Sequence, residues 1–299
     1  MKKILIMFMC AALFIVVTPL SVYAVDTVPT LEEIMDSYQV GIDEARKIQD
    51  GMKNEEAYYN GEVTVPDKRP LLRNDGNSNK NYEALKEAYS QAYLAAMTSD
   101  DTTVYKELEA QFLELLPVGY RPKLKGTAMV SIPFYRQQNS YYCGPAAVAM
   151  ALAAKGKYYS QSTLASKSWL ETDDYGYTIG RYIKYTLNNL LGLGSWYVYK
   201  EVDWDDPAWL ISKLIITIRA GYVPIVAIYQ NGDSNTVLNG HTKAYLRHFI
   251  PVYAYADNAG YWYADSASGL GGRFANVPQK SYINWKTLSY LVWGGSITY

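Results

Sequence analysis

The sequence predicts an α+β fold, in which helices come first along the chain and an antiparallel sheet follows. Thr178–Leu191 has the apolar spacing of a helix, whereas Val223–Tyr229 is a short apolar run typical of a buried strand. Two further strand-like runs, His248–Ala256 and Gly260–Ala264, flank Asp257–Gly260, which has the residues of a tight hairpin. Helices followed by consecutive strands are typical of the α+β class.

Other elements are predicted from capping residues and helix stops. They are a helix from Cys143 to a stop at Gly156, a short helix opened by Ser160, a helix from Asp205 to Arg219 ended by Gly221, and a last strand over Gly295–Tyr299.

The composition changes near Gly126 and divides the 299 residues into two regions. All seven tryptophans and 21 of the 30 tyrosines follow this point. Residues 25–125 carry 19 acidic and 12 basic side chains, whereas residues 126–299 carry 10 acidic and 14 basic ones. We therefore predict an acidic region at 25–125 and a basic, aromatic-rich domain at 126–299, which is long enough to bury its own core.

The first 24 residues have the pattern of a secretory signal peptide. Lys2 and Lys3 precede the apolar stretch Ile4–Val17, and Val22 and Ala24 are small residues suited to a cleavage site. The alternative is a retained membrane anchor, but this stretch is shorter than the ~20 apolar residues of a spanning helix. We expect a secreted, extracellular or cell-envelope protein with no stable membrane insertion after signal cleavage.

Residues 25–125 are predicted to be mainly helical. Amphipathic patterns run near 30–51, 80–97 and 101–116, and Val63–Asn81 has the polar, Pro- and Gly-containing composition of an exposed loop. An acidic helical region ahead of a basic domain is consistent with a prosegment that docks electrostatically and inhibits the domain. A plain accessory domain or spacer is an equally open interpretation.

Cys143 is the only cysteine left after signal removal, so no intramolecular disulfide is expected. An unpaired thiol in an exported protein is either reactive or a small buried hydrophobic group. Cys143 stands where a helix is predicted to begin, and the amides of a helix start stabilise negative charge. The thiolate is the nucleophilic form of cysteine, so this position favours a reactive role.

A cysteine nucleophile needs a base, and the chain has only two histidines. His248 opens a predicted strand, which would hold its imidazole on a rigid element, whereas His241 lies in a polar loop and is expected to be solvated. We prefer His248. Asp265 ends the neighbouring predicted strand and can orient the imidazole, while Asp257 and Asn258 are expected to form the turn.

The segments Ile132–Gln137 and Tyr142–Ala147 resemble the nucleophile motif of papain-like bacterial cysteine peptidases similar to the bacteriocin-processing, double-glycine-leader peptidases. His248-Phe249-Ile250 and Tyr263-Ala264-Asp265 are similar to that family's histidine and aspartate positions. The resemblance covers residues 130–299. It implies a papain-like fold, with the nucleophile helix packed on an antiparallel sheet that carries the histidine and the aspartate.

The resemblance also implies a Cys–His–Asp triad of Cys143, His248 and Asp265, with a glutamine that donates a hydrogen bond to the oxyanion. Gln137, six residues before Cys143, has the papain spacing and is preferred. Gln138 stays open as the alternative, because a loop bulge would exchange the two roles.

The sequence departs from the family in three respects. Ser266 follows Asp265 where the family often has proline, and Pro251 interrupts the histidine strand, which predicts an edge or bent strand. The transporter segments and phosphate-binding glycine loop that accompany the leader peptidases find no counterpart in this sequence.

These features predict a secreted cysteine peptidase that acts on peptides or proteins without a cofactor. The alternatives are a non-catalytic exported module that binds glycans or proteins through its aromatic surface, and acyl transfer of the transglutaminase type. Histidines and cysteines are too few for a metal site, and the modest net charge of −1 argues against nucleic acid as a partner.

Overall fold

The computed structural model describes residues 29–38, 40–59, 127–202, 207–230, 236–256 and 260–299. The predicted signal peptide at 1–24, the helices predicted near 80–97 and 101–116, the loop Val63–Asn81 and the hairpin turn at 257–259 lie outside the described residues. The division of the chain near Gly126 also falls there.

Some of the described helices begin or end at ordinary capping signals. Ser160 and Asn284 each accept a hydrogen bond from the backbone N–H three residues ahead, at 3.0 and 2.9 Å. Gly192 ends a helix with a φ of +70°, a value that favours glycine. The helices are α1 Leu31–Tyr38, α2 Ile42–Tyr59, α3 Cys143–Ala153, α4 Gln161–Ala165, α5 Thr172–Tyr175, α6 Gly180–Leu191, α7 Pro207–Arg219 and α8 Trp285–Val292, with a 3₁₀ turn at Gly272–Phe274.

The described strands form one antiparallel sheet. They are β1 Thr127–Met129, β2 Tyr199–Glu201, β3 Ile225–Gln230, β4 Leu246–Ala256, β5 Gly260–Ala264, β6 Lys280–Asn284 and β7 Ser296–Thr298. Their order across the sheet is β2-β7-β3-β4-β5-β6, and β1 pairs with the C-terminal end of β4. Helices followed by this sheet confirm the predicted α+β class.

β4 as a whole lies between β3 and β5, but the part of it with His248 and Pro251 has only β3 as a described partner, as predicted for an edge position. It pairs with β3 on one side, and Pro251 stands opposite Ile225. Pairing with β5 starts only at Val252, directly after the proline, and the register shifts between Val252 and Ala254. The missing N–H of Pro251 is tolerated because it falls where the β5 ladder ends.

α3 is the central helix of the domain and packs against β4, α4 and α6. Residues Gly144 to Ala153 are all buried, which explains why this helix is apolar on every face. Gly144 is required by close packing, because a Cβ atom there would lie 2.1 Å from Thr178 Oγ1. The buried helix holds its first residue, Cys143, at a fixed place beside the sheet.

The predicted helix at 30–51 is two helices, since α1 ends at Tyr38 and α2 begins at Ile42. These two helices pack on each other through a small apolar core of Ile34, Ala45, Ile48 and Met52. We call α1 and α2 together the N-terminal hairpin.

Candidate active site

Cys143 is the first residue of α3 and is half-buried. Tyr142 occupies the N-cap position without a side-chain hydrogen bond to the helix start, and its hydroxyl donates to Asp173 Oδ1 at 2.7 Å. The first amides of the helix therefore have no side-chain cap and are available to negative charge at the sulfur.

His248 lies on β4 opposite Ile228, and its ring connects Cys143 with Asp265. The Cys143 thiol lies close enough to the ring to raise the pKa of His248. His248 Nε2 lies 2.8 Å from Asp265 Oδ1, so Nδ1 is the ring nitrogen left for the sulfur. This is the order of groups that a cysteine nucleophile with an oriented base requires.

The electrostatics of this arrangement favour a protonated His248. Burial of the ring by itself lowers its pKa, but the charge of Asp265, the hydrogen bond to Asp265 and the contact with Cys143 outweigh burial. Together they raise the pKa of His248 to about 10. At neutral pH the ring is therefore an imidazolium that can stabilise a thiolate and donate a proton.

Asp265 follows β5 directly and is fully buried. Burial by itself raises the pKa of this carboxyl, but the charge of His248 and the hydrogen bonds from the rings of His241 and His248 hold it well below its usual range. Its Oδ1 also accepts the backbone N–H of Ala267 at 3.0 Å. Asp265 is therefore a buried carboxylate between two histidine rings.

His241 is part of this cluster and is buried, so the expectation of a solvated loop residue is wrong. Its Nε2 lies 2.7 Å from Asp265 Oδ2, and its ring centroid is 5.9 Å from that of His248. The polar sequence around His241 conceals this burial. The only available signal was that the chain has just one other histidine.

Gln137 is buried and Gln138 is exposed. Gln137 Nε2 donates to the carbonyl of Asn139 at 2.8 Å, and its backbone N–H donates to the carbonyl of Ser266 at 2.9 Å. The backbone N–H of Gln138 instead donates to the side chain of Gln161 at 3.0 Å. Only Gln137 turns its amide into the interior next to the Asp265 loop.

Ser266 is a site residue that sequence reasoning did not identify. It is fully buried, and its hydroxyl donates to Gln137 Oε1 at 3.0 Å. A proline at this position could not make that bond. The departure from the family pattern therefore supplies a contact that orients the Gln137 amide.

A pocket opens beside Cys143, with the N-terminal hairpin as one wall. Tyr38, Ile48 and Met52 of the hairpin line it. Its other lining residues are Ser140, Tyr141, Gly176, Tyr177, Thr178, Arg247 and Phe249. The pocket thus combines apolar and aromatic surface with the thiol.

The hairpin also contacts the segment immediately before Cys143. Glu44 accepts hydrogen bonds from the backbone N–H and the hydroxyl of Ser140, and Lys47 Nζ donates to the Tyr141 hydroxyl at 3.0 Å. Tyr38 packs against Phe274 with ring centroids 6.2 Å apart. Polar and aromatic contacts therefore both hold the hairpin in place.

The described residues contain no group of three or more His, Cys, Asp and Glu side chains arranged as a metal site. None of their helices combines the length and apolar character of a membrane span.

Comparison with known proteins gives the family. Residues 129–292 match the model of the peptidase C39-like family. One similar solved structure is a double-glycine-motif protease from an AMS/PCAT transporter in complex with the leader peptide, with 12% identity, a TM-score of 0.37 and coverage of 60% of this chain and 96% of that chain. Another is the peptidase domain of Streptococcus ComA, a bifunctional ABC transporter involved in a quorum-sensing pathway, with 16% identity, a TM-score of 0.34 and coverage of 55% of this chain and 94% of that chain.

No curated protein sequence matches the chain significantly. The assignment rests on the family model, which spans more than half of the sequence and includes the cysteine, both histidines and the aspartate. The chain belongs to the peptidase C39-like family and is a cysteine-type peptidase with the papain-like fold of that family.

Proposed function

We propose that the protein is a secreted peptidase that hydrolyses peptide bonds with Cys143 as nucleophile, His248 as proton carrier and Asp265 as orienting carboxylate. One observation carries this proposal: the His248 ring contacts the Cys143 thiol on one side and Asp265 Oδ1, at 2.8 Å, on the other. A shared fold does not by itself establish activity. The contact of His248 with both Cys143 and Asp265 is what cysteine-nucleophile chemistry requires.

The reaction follows from these positions. The Cys143 thiolate attacks the substrate carbonyl carbon, and the backbone N–H of Cys143 with the side-chain amide of Gln137 stabilises the oxyanion. His248 then donates its proton to the leaving amine as the C–N bond breaks. Water, deprotonated by the now neutral His248, attacks the acyl-enzyme and releases the acid and the thiolate.

Gln137 is the preferred oxyanion donor because its amide is buried and held from both ends. Ser266 donates to its oxygen, while its nitrogen donates one of two hydrogens to the Asn139 carbonyl. The second hydrogen is left for the substrate. Gln138, whose side chain is exposed, has no comparable support.

The substrate class is a peptide or protein, and the pocket at Cys143 suits an apolar side chain. Tyr177 and Phe249 of the peptidase domain contribute apolar surface next to the sulfur. The hairpin residues Ile48 and Met52 occupy the other side of the pocket, where a substrate side chain would lie once the hairpin is displaced. Acyl transfer to an amine would use the same groups, so amine acceptors belong in the assay. A non-catalytic binding module would not need the Cys143–His248 contact.

Export is proposed from residues 1–24. A basic start, an apolar core and small residues before Val25 support removal of a signal peptide. Expression in a bacterial host and N-terminal sequencing of the exported protein test this proposal. A mature chain that begins at Val25 is the expected result, and a full-length chain retained in the membrane fraction would contradict it.

Region 25–125 is proposed to inhibit the peptidase until it is removed or displaced. The support is that its hairpin lines the pocket that contains Cys143 and contacts Ser140 and Tyr141. A site for a specific protease, inserted between residues 60 and 126, allows cleavage after folding. Higher activity after cleavage supports inhibition, whereas lower activity shows that the hairpin is part of the working site.

The main experiment measures peptide hydrolysis against a peptide library by the full chain, before and after cleavage at the inserted site between residues 60 and 126, with Cys143→Ala as the control. Turnover that disappears in the variant is expected. The rate of Cys143 alkylation by iodoacetamide at pH 6 should also greatly exceed that of the same thiol in denatured protein. Undiminished hydrolysis in Cys143→Ala, or slow alkylation of the native chain, would refute the proposal.

A further inference from the structure

The Asp265 carboxylate is held by three donors, and only one of them belongs to the His248 base. Oδ1 accepts from His248 Nε2 at 2.8 Å and from the Ala267 backbone N–H at 3.0 Å. Oδ2 accepts from His241 Nε2 at 2.7 Å. Each oxygen is thus bound, and the plane of the carboxylate is fixed.

The direction of the His241 bond follows from the charge of its partner. An ionised carboxylate only accepts hydrogen bonds, so His241 Nε2 carries a proton. His241 Nδ1 is buried and has no hydrogen-bond partner among the described residues. A proton there would be an unpaired buried donor, so the neutral Nε2–H tautomer is favoured.

Other charges around His241 act in the same direction. Burial lowers its pKa, Asp265 opposes this, and the positive charges of His248 and Arg273 lower the pKa further. The ring also packs edge-on against Phe274, with centroids 5.7 Å apart. His241 is therefore a neutral donor that binds the carboxylate without adding a second cation.

The loop that carries His241 is anchored on both sides. Buried Gln230 of β3 donates through Nε2 to the carbonyls of Thr242 and Ala244 at 2.7 and 2.8 Å. The backbone N–H of Asn239 donates to the Tyr263 hydroxyl at 3.1 Å. These bonds fix the position of the imidazole relative to β3 and β5.

We propose that His241 is a positioning residue of the peptidase, which acts through Asp265 by holding Oδ1 toward His248. The inference rests on the proposed function, since positioning Asp265 matters only if His248 serves Cys143. Without the bond to Oδ2, the carboxylate can rotate about its Cβ–Cγ bond and the His248 ring loses its fixed orientation. A small misplacement of catalytic groups can cost ~100-fold in rate.

Two amide variants of the full chain, assayed after cleavage at the inserted site between residues 60 and 126 and alongside the native protein treated in the same way, separate positioning from general packing. In His241→Gln the side-chain nitrogen reaches about as far as Nε2, so the bond to Asp265 can form, whereas in His241→Asn it reaches only as far as Nδ1. We expect H241Q to keep kcat within ~3-fold and H241N to lose ~10- to 100-fold in kcat, with KM changed little in both.

The pH profile supplies a second readout. When His241 of the native protein takes up a proton in acid, its buried Nδ1 becomes a donor without a partner, and the ring is expected to leave its position beside Asp265 Oδ2. Glutamine does not titrate, so the acid limb of kcat/KM in H241Q should lie at lower pH than in the native protein. A purely structural histidine would leave this limb unchanged.

The outcomes are distinguishable from failure of the proposed function. Slow alkylation of native Cys143 at pH 6 would end the proposed function itself. Fast alkylation of native protein, combined with native kcat and pH profile in H241N, would overturn only the role of His241. If H241N does not fold, as judged by thermal unfolding, the pH profile of kcat/KM for H241Q is the deciding measurement. An acid limb of that profile at the same pH as in the native protein would refute the inference.

Discussion

Ser266 donates its hydroxyl to Gln137 Oε1 at 3.0 Å, and so joins the loop after Asp265 to the segment before Cys143. The backbone N–H of Gln137 returns a hydrogen bond to the Ser266 carbonyl at 2.9 Å. The two residues are 129 positions apart in sequence. The orienting carboxylate and the proposed oxyanion donor are thereby positioned by one pair of contacts.

Ser266→Ala should lower kcat by ~10-fold, because the Gln137 amide loses one of the two bonds that set its orientation while its nitrogen can still reach the oxyanion part of the time. Steady-state kinetics of S266A, Q137A and the double variant measure this. The Ser266 substitution should have little further effect once Gln137 is absent. Additive losses would show that Ser266 acts elsewhere.

Gln137→Ala should reduce kcat by ~10²- to 10³-fold, the usual effect of removing an oxyanion donor, with a small change in KM. Gln138→Ala is the matched control, since it removes the same group from the neighbouring, exposed position. We expect the control to retain native kinetics. If Gln138→Ala is the more damaging substitution, the two roles must be exchanged.

Asp265→Asn should decrease kcat without abolishing it and move the basic limb of kcat/KM to lower pH. The charge of Asp265 is the main factor that keeps the pKa of His248 at about 10 against the effect of burial. Without that charge, His248 loses its proton at lower pH. An unchanged basic limb, measured up to pH 10, would contradict this assignment.

The stability of the fold should decline toward alkaline pH because of His248. Its ordinary pKa is 6.5 and its folded value about 10, so its contribution is complete below pH 6.5 and is lost as the pH rises to 10. The pKa of Asp265 lies below its ordinary 3.8, so its contribution is lost only in stronger acid. Thermal unfolding between pH 4 and 10 measures this, and His248→Gln should flatten the alkaline decline.

The fold class was predictable because its signals are local. Helix caps, apolar spacing and the strand patterns around Pro251 depend on neighbouring residues, and α4, α6, α7, β3 and β5 are confirmed within a few residues. β1, β2 and β6 were not predicted. β1 and β2 have only three residues each, too few for a periodic pattern, and β6 alternates exposed and buried positions over only five.

The site was predictable only in part, because much of it depends on contacts between distant segments. The motif around Cys143 and the strand positions of His248 and Asp265 could be recognised in the sequence. The burial of His241 results from packing against Phe274 and from the Gln230 anchor of its loop. No local pattern around His241 or Ser266 contains that information.

Strand β7 has a practical consequence for how fragments of this protein are designed. Ser296–Thr298 lies between β2 and β3, in the interior of the sheet, yet the family match ends at residue 292. A shortened version cut at the match would leave β2 without its partner and expose one side of β3 to solvent or to another chain. Aggregation of such a fragment would then reflect the cut and not the peptidase.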